Sequence, residues 1–247
     1  MPSEITLLAV VLIVFTAALV RSTIGFGDAL IAMPLLAFIV DIKTATPLVA
    51  MICSTISPLI LFRSWSSIDF RAARRLVMSS VIGIPIGILF LRTTYPSLVK
   101  AALALVIMGF SLMQISHLNL RIQKERNLSY LFGLFAGILG GAYNTSGPPI
   151  VMYGTMRRWS PVAFRATLQG YFLPTGLFVL MSHGISGLWT RSVLQYYLAS
   201  LPLVIAAVFM GMRISHFIPA GRFDRLIHIA LVVTGAFLLI QALGEGF

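Results

Sequence analysis

Long apolar stretches, separated by short polar or basic segments, follow one another along the whole chain. Most of them approach the roughly 20 apolar residues that an α-helix needs to cross a bilayer. Residues 29–40 are apolar too, but they are too few to cross comfortably alone. The pattern predicts an all-α polytopic membrane protein. The predicted spans are 5–20, 44–62, 76–91, 97–116, 161–181, 192–212 and 226–243.

Two stretches depart from this pattern, because glycines, prolines and small polar residues lie inside apolar sequence. The first is centred on 25–28, and the second covers 137–149 within the apolar segment 128–153. Gly and Pro weaken or remove helical hydrogen bonds, and freed backbone groups at membrane depth need protein or water partners. Each stretch is therefore predicted to be a pair of short half-helices that meet at an unwound polar turn.

The two halves of the chain, 1–120 and 121–247, have the same order of segments. The spacing from Gly25 to Pro34 equals that from Gly140 to Pro149. Internal duplication with paired interrupted segments is typical of secondary transporters. We therefore predict two inverted repeats in one membrane domain, each an interrupted helix pair followed by three transmembrane helices.

The composition supports a membrane location and gives an orientation. Hydrophobic residues make up 58% of the chain and charged residues 10%, whereas soluble domains carry about 25% charged residues. The net charge of +11 does not indicate nucleic-acid binding, because no soluble basic domain is present. Loops 63–75, 121–126, 157–158 and 213–225 hold twelve of the eighteen Lys and Arg residues, as expected of a cytoplasmic face. Both termini are then predicted outside the cytoplasm, with 5–20 retained because it lacks the basic start of a signal peptide.

The two turns are the candidate substrate site. Ends of half-helices expose backbone N–H groups, which attract anions. Hydroxyl and amide side chains beside them suit an oxyanion that must be released again, although they can also cap the half-helices. The candidate ligands are Ser22, Thr23, Gly25, Phe26 and Gly27 in the first turn, and Asn144, Thr145, Ser146, Gly147 and Pro148 in the second.

Two arginines near or within the membrane are candidates to balance the charge of an anion. Arg165 follows Pro161 by about one helical turn, and Arg21 precedes the first turn. A guanidinium offers an anion a forked pair of donors, or it extends to the membrane surface instead. Gln169 lies one helical turn after Arg165 and is predicted to face the same cavity.

Asp28 is the one carboxylate inside the apolar segments. Keeping an acid there costs roughly 2.5–3.5 kcal/mol or more, which makes it a functional candidate. A neutral Asp28 that releases its proton during turnover would couple transport to protons. Alternatively, it pairs with Arg21 or faces a water-filled vestibule and helps the hairpin to fold.

An enzyme is the less favoured interpretation. Gly25-Phe26-Gly27-Asp28 matches the G-x-G-D signature of intramembrane aspartyl proteases, which need a second membrane aspartate. The remaining aspartates lie in predicted loops, and the histidines lack zinc-ligand spacing. Cys53 has no partner for an internal disulfide and is predicted to be a small buried residue. No cofactor or metal is expected.

These motifs resemble the TauE/SafE sulfite exporter family, whose members carry two glycine-rich motifs that each lead into an apolar Pro-containing stretch. Here they are the segments 25–36 and 137–150. The resemblance implies a permease of the bacterial inner membrane for sulfite, sulfoacetate or other organosulfonates. Together with the residues it predicts a proton-linked secondary transporter with alternating access. A passive anion channel is the alternative.

Overall fold

The computed structural model describes residues 4–62, 65–93, 95–116 and 126–214, together with 232, 233, 235, 236, 239, 240 and 242–244. This part of the chain is helical, with no strand, so the all-α prediction is confirmed. Within these described residues, four helices are long and apolar enough to cross a membrane: α1, α3, α4 and α9. The helices are α1 (Glu4–Ile24), α2 (Asp28–Ala37), α3 (Ile42–Leu61), α4 (Phe70–Thr93), α5 (Pro96–Ile115), α6 (Arg126–Tyr143), α7 (Gly147–Met156), α8 (Pro161–Ile185) and α9 (Arg191–Ile214).

The predicted spans 44–62 and 192–212 agree with α3 and α9 to within a few residues. The predicted span 226–243 lies largely outside the described residues, and so do most of the predicted loops 121–126 and 213–225.

Both interrupted helix pairs are present, but their breaks are shorter than predicted. Only residues 25–27 separate α1 from α2, and only 144–146 separate α6 from α7. The glycine-rich segment 137–143 is still helical. Gly25 therefore corresponds in position to Asn144 rather than to Gly140, and the predicted alignment of the two motifs was wrong by one helical turn.

The two turns reverse the chain in a similar way. Gly25 and Asn144 each directly follow a helix, and both have positive φ, 101° and 53°. The Gly25 N–H donates to the Arg21 carbonyl (2.7 Å), and the Asn144 N–H donates to the Gly140 carbonyl (2.9 Å). Glycine adopts positive φ freely, and asparagine is among the few other residues that tolerate it. This requirement explains a small or amide residue directly after each half-helix.

Helices α4 and α6 pack with their backbones in contact. A Cβ atom at Gly133, Gly137 or Gly141 of α6 would overlap backbone atoms of α4, and one at Gly83 or Gly87 of α4 would overlap backbone atoms of α6. The contacts advance in the same direction along both helices, so α4 and α6 run parallel. Small residues at four-residue spacing are what such close packing requires in membranes.

The remaining packing pairs helices of the two halves. Helix α1 packs against α9, α3 packs against α8, α4 against α8, and α3 against α9. Large apolar side chains such as Ile5, Leu8 and Leu12 of α1 are exposed on the outside. An apolar outer surface of this kind is expected where lipid replaces water.

We expect Gly87→Ala to destabilise the protein by about 1–3 kcal/mol or more, because the new methyl group meets the Ile138 carbonyl oxygen rather than a flexible side chain. The thermal midpoint of the detergent-solubilised protein measures the effect. Gly109→Ala in α5 is the matched control, since no described atom lies within 4 Å of that Cβ position. Equal midpoints for the two variants would contradict the close packing of α4 and α6.

Candidate functional site

A narrow cleft lies between the two turns. Its free volume is about 30 Å³, which is room for roughly two water molecules. Residues 27–30 at the start of α2 and 144–147 around the start of α7 line it, together with residues of α1, α3, α4, α6 and α8. The two interrupted helix pairs therefore present their breaks to one shared space.

The N-termini of α2 and α7 both face this cleft without a side-chain cap. Gly27 precedes α2, and Ser146 precedes α7 but makes no capping hydrogen bond. The Thr145 hydroxyl donates to the Tyr143 carbonyl (2.9 Å) instead. The capping alternative is therefore not realised for Ser146. Free N–H groups give a helix start a positive partial charge of up to about +0.5. The start of α7 has fewer of them, because Pro148 and Pro149 have no N–H, but both ends still favour an anion.

A buried ion pair forms one wall of the cleft. Arg21 Nη1 lies 2.6 Å from Asp28 Oδ2, and the two residues are only 2% and 7% exposed. Arg21 Nη2 donates to Ser57 Oγ (2.7 Å) and to Gln169 Oε1 (3.2 Å). These contacts agree with the alternative in which Asp28 pairs with Arg21, and they give the guanidinium neutral partners from α3 and α8.

Gln169 ties this arginine to the first turn. It is fully buried, and its Nε2 donates to the Gly25 carbonyl (2.6 Å). The guanidinium carbon of Arg21 also lies 5.0 Å from the centre of the Phe172 ring, which is a cation–π distance. Arg21 Nε has no hydrogen-bond partner among the described residues. The arginine is thus held firmly while one of its N–H donors stays available.

Cys53 of α3 connects the ion pair to the second turn. Its Sγ lies 2.8 Å from Asp28 Oδ2, to which the thiol donates. Asn144 Nδ2 donates to the same sulfur (3.1 Å). Cys53 is buried as predicted, but it also lines the cleft. A continuous chain of polar contacts therefore runs from Arg21 through Asp28 and Cys53 to Asn144.

Tyr171 of α8 forms another part of the wall. The Tyr171 hydroxyl lies 2.7 Å from Ser80 Oγ, and Ser80 donates to the Gly133 carbonyl (2.6 Å). Because the single proton of Ser80 goes to Gly133, Tyr171 donates to Ser80. This arrangement anchors α8 to the α4–α6 pair and fixes the ring at the edge of the cleft.

Seven of the predicted site residues line the cleft, and two more support it. Gln169 accepts from Arg21, which lines the cleft, and donates to the Gly25 carbonyl, so these two residues support the lining without forming it. The seven are Arg21, Gly27, Asp28, Asn144, Thr145, Ser146 and Gly147.

Four predicted ligands of the turns do not line the cleft. Ser22 and Thr23 are still part of α1, and their hydroxyls donate to backbone carbonyls of the same helix. Phe26 packs edge-on against Phe164, with ring centres 6.4 Å apart. Pro148 is buried in the first turn of α7.

Arg165 is also outside the cleft. Its side chain is exposed, and its methylene groups pack beside Gly25, with Cγ 3.3 Å from the position that a Cβ of Gly25 would occupy. Of the two alternatives for Arg165, this placement agrees with a guanidinium that extends towards the surface. Arg21 is the arginine that faces the cleft.

Among the residues at this site that sequence reasoning missed, four contribute polar or aromatic contacts to the argument: Cys53, Ser57, Tyr171 and Phe172. All four lie in the middle of predicted spans, where they read as packing residues. One signal was available, because Ser57 follows Cys53 by four residues and so shares its helix face.

The geometry disfavours the aspartyl protease interpretation. Asp28 is paired with an arginine, whereas the protease chemistry needs a second carboxylate that shares its proton. Within the part of the chain that the structure describes, no other carboxylate lines the cleft, and no cluster of three or more His, Cys, Asp or Glu residues forms a metal site.

Two interrupted helix pairs that meet at a buried, anion-attracting cleft, inside an apolar helical protein, define a membrane transporter. The chain belongs to the TauE/SafE sulfite exporter family, whose model matches residues 10–238. A protein of Cupriavidus necator named as a probable sulfite/organosulfonate exporter TauE is 22% identical over 229 residues, and the match covers 90% of each chain. No solved structure matches the chain. The family resemblance read from the two motifs is therefore confirmed.

We expect Arg21→Met to destabilise the protein by about 3–5 kcal/mol, because Asp28 then remains as a buried charge without its partner. The double variant Arg21→Met/Asp28→Leu should recover much of this loss, since it removes both charges together. Thermal midpoints of the single and double variants measure the coupling. Additive losses would show that the two side chains do not stabilise each other.

Proposed function

We propose that this protein is a secondary transporter that moves sulfite or organosulfonate-type anions across the bacterial inner membrane. The observation that carries the proposal is the placement of two uncapped half-helix N-termini and the Arg21 guanidinium around one buried cleft. These groups together attract one small oxyanion, and family membership gives its chemistry.

The donors favour an oxyanion but do not by themselves select sulfur. Backbone N–H groups, a guanidinium and the Asn144 amide bind sulfonate, sulfite and carboxylate oxygens alike. The sulfur class comes from the family and from the related Cupriavidus protein, which is named for sulfite and organosulfonates. The substrate is therefore proposed as a class, with sulfite and sulfoacetate as the first anions to test.

Proton linkage through Asp28 is the second part of the proposal. In the empty site the negative charge of Asp28 balances Arg21. An anion that approaches Arg21 meets this carboxylate, and the repulsion disappears when Asp28 takes up a proton. The titratable or charged groups in contact with Asp28 are Arg21 and Cys53, and Tyr171 lines the same cleft. Binding of the anion then favours binding of the proton, and binding of the proton favours binding of the anion.

Alternating access by two inverted repeats is the third part. The packing of α1 on α9 corresponds to that of α6 on α4 when the halves are exchanged, and α3 on α9 corresponds to α8 on α4. A repeated set of contacts of this kind supports duplicated halves that move against each other around the cleft.

The direction of the helices supports the inversion. Helix α6 runs parallel to α4, and the contact of Gly211 in α9 with Ser22 near the end of α1 fits a parallel pair as well. The Asp69 N–H, just before α4, donates to Thr167 Oγ1, early in α8. The starts of α4 and α8 therefore lie on the same face of the helix bundle. Because α8 then crosses to the other face before α9 begins, the two hairpins enter from opposite faces.

We expect Arg157→Cys to be labelled from the cytoplasm and Thr190→Cys from the opposite side, each in a Cys53→Ser background. Both positions are exposed and lie at opposite ends of α8. The test applies a membrane-impermeant thiol reagent to intact cells and to inverted vesicles. Labelling of both positions from one side would contradict the proposed topology.

We expect wild-type protein in proteoliposomes to accumulate sulfite or sulfoacetate when a pH gradient is imposed, and Asp28→Asn to lose this accumulation. Asn keeps the shape of the side chain but cannot bind and release the proton. Asp41→Asn is the matched control, because Asp41 caps α3 outside the cleft and Asn is an equally good cap.

Three other results would count against parts of the proposal. Flux that only equilibrates, in wild type and Asp28→Asn alike, would identify a passive anion channel. Accumulation that persists in Asp28→Asn would remove Asp28 from the coupling step. Absence of flux for every sulfur oxyanion tested would reject the substrate class.

A further inference from the structure

Cys53 occupies a position that the proposed mechanism has not yet used. Its sulfur lies between Asp28 Oδ2, at 2.8 Å, and Asn144 Nδ2, at 3.1 Å. Asp28 begins the helix after the first turn, and Asn144 stands in the second turn. In the described residues, this thiol is the side chain that joins the charged pair to the second turn by hydrogen bonds on both sides.

We propose that Cys53 is a positioning residue that transmits the protonation of Asp28 to Asn144, so that both turns bind the anion together. This inference rests on the proposed function. It adds a residue and a direction of coupling that neither the family nor the motifs assign.

One carboxylate oxygen carries both contacts of Asp28. Asp28 Oδ2 accepts from both Arg21 Nη1 and the Cys53 thiol. A proton on this oxygen makes it a donor and a much weaker acceptor, so both contacts weaken. Arg21 loses its counter-charge, and the thiol keeps only a weak acceptor.

Two donors then compete for the sulfur as their acceptor. A protonated Asp28 donates towards Sγ, which already accepts from Asn144 Nδ2. Because a thiol sulfur is a weak acceptor, the Asn144 amide gains more by turning to an anionic oxygen in the cleft. Protonation at the first turn thus releases a donor at the second turn.

A second observation identifies the surrounding space as a ligand site. Arg21 is 2% exposed, lines the same cleft, and has an Nε donor without a partner in the described part of the chain. A buried donor of this kind is costly unless a ligand or water satisfies it. Cys53 therefore lies beside a place where an anion is expected rather than in ordinary packing.

This change of hydrogen-bond partners requires a side chain at position 53 that both donates and accepts. Serine can do both, with stronger bonds, whereas alanine can do neither. Cys53→Ser should therefore keep the coupling and Cys53→Ala should remove it. A merely structural role of the small side chain predicts the reverse order or no difference, because alanine fills apolar space at lower polar cost than serine.

The experiment measures anion and proton flux together in proteoliposomes for wild type, Cys53→Ala and Cys53→Ser. We expect Cys53→Ala to lose about half or more of the gradient-driven accumulation, since its two turns are no longer linked. Its KM should rise by no more than about tenfold, the value of one neutral hydrogen bond. Cys53→Ser should keep the wild-type ratio of protons to anions. Ser54→Ala is the control, because its hydroxyl has no partner among the described residues and does not line the cleft.

A labelling measurement on wild-type protein keeps the inference testable if a variant fails to fold. Cys53 is the only cysteine of the chain, so N-ethylmaleimide reports on this thiol alone. Saturating sulfoacetate, which unlike sulfite does not itself react with the maleimide, should slow the labelling more at low pH than at high pH, because anion and proton bind together. Labelling that sulfoacetate leaves unchanged at every pH would overturn the inference.

The flux outcomes separate the two proposals. If Cys53→Ala accumulates the anion to the wild-type level with an unchanged proton-to-anion ratio, the role of Cys53 is overturned and the proposed function is not affected. Absence of flux in wild type for all anions tested overturns the proposed function, and the inference with it.

Discussion

The buried contact between Arg21 and Asp28 is the constraint on which the arrangement of the site depends. Removing two charges from water costs several kcal/mol per ion, and only good geometry with further hydrogen bonds offsets that cost. The protein supplies these bonds from Ser57, Cys53 and Gln169. Because they belong to α3 and α8, satisfying the pair fixes both central helices against the first turn. Electrostatics and packing therefore specify the same geometry.

The second turn is placed by a different physical means, the close approach of two backbones. Glycines at four-residue spacing let α6 lie directly on α4, and without them the helices would move apart. Gly137 and Gly140 of α6 also line the cleft. The start of α7 follows from where α6 ends, so this packing determines the distance between Asn144 and Cys53. An apolar interface thereby sets the polar geometry of the site.

The sequence allowed the class of fold and the approximate place of the site to be predicted, because both depend on local signals. Apolar length predicted the helices, and glycine with small polar residues predicted both turns. The exact breaks were not predictable, since Gly137 and Gly141 serve helix packing rather than unwinding. Neither was the choice of Arg21 over Arg165 as the buried cation, which depends on how α1 and α8 face each other. Cys53 and Ser57 were missed because a polar atom in an apolar span has meaning only once its partners are known.

The charge of the cleft links this geometry to transport. With Arg21 and Asp28 both ionised the pair is neutral, and the two helix starts add a positive partial charge of less than about +1, because Pro148 and Pro149 supply no N–H. Protonation of Asp28 makes the cleft more positive by one charge, which favours an anion far more strongly in a medium of low dielectric constant. Loading a monoanion such as bisulfite together with one proton leaves the charge of the cleft about unchanged, whereas a dianion such as sulfoacetate makes it more negative by one charge. For a monoanion, the net charge of the cleft is thus similar before and after loading. The unloaded and loaded forms of the proposed transporter therefore meet similar electrostatic barriers when its halves move. In the proposed mechanism, the ion pair therefore stabilises the resting protein and supplies the anion affinity of the loaded protein.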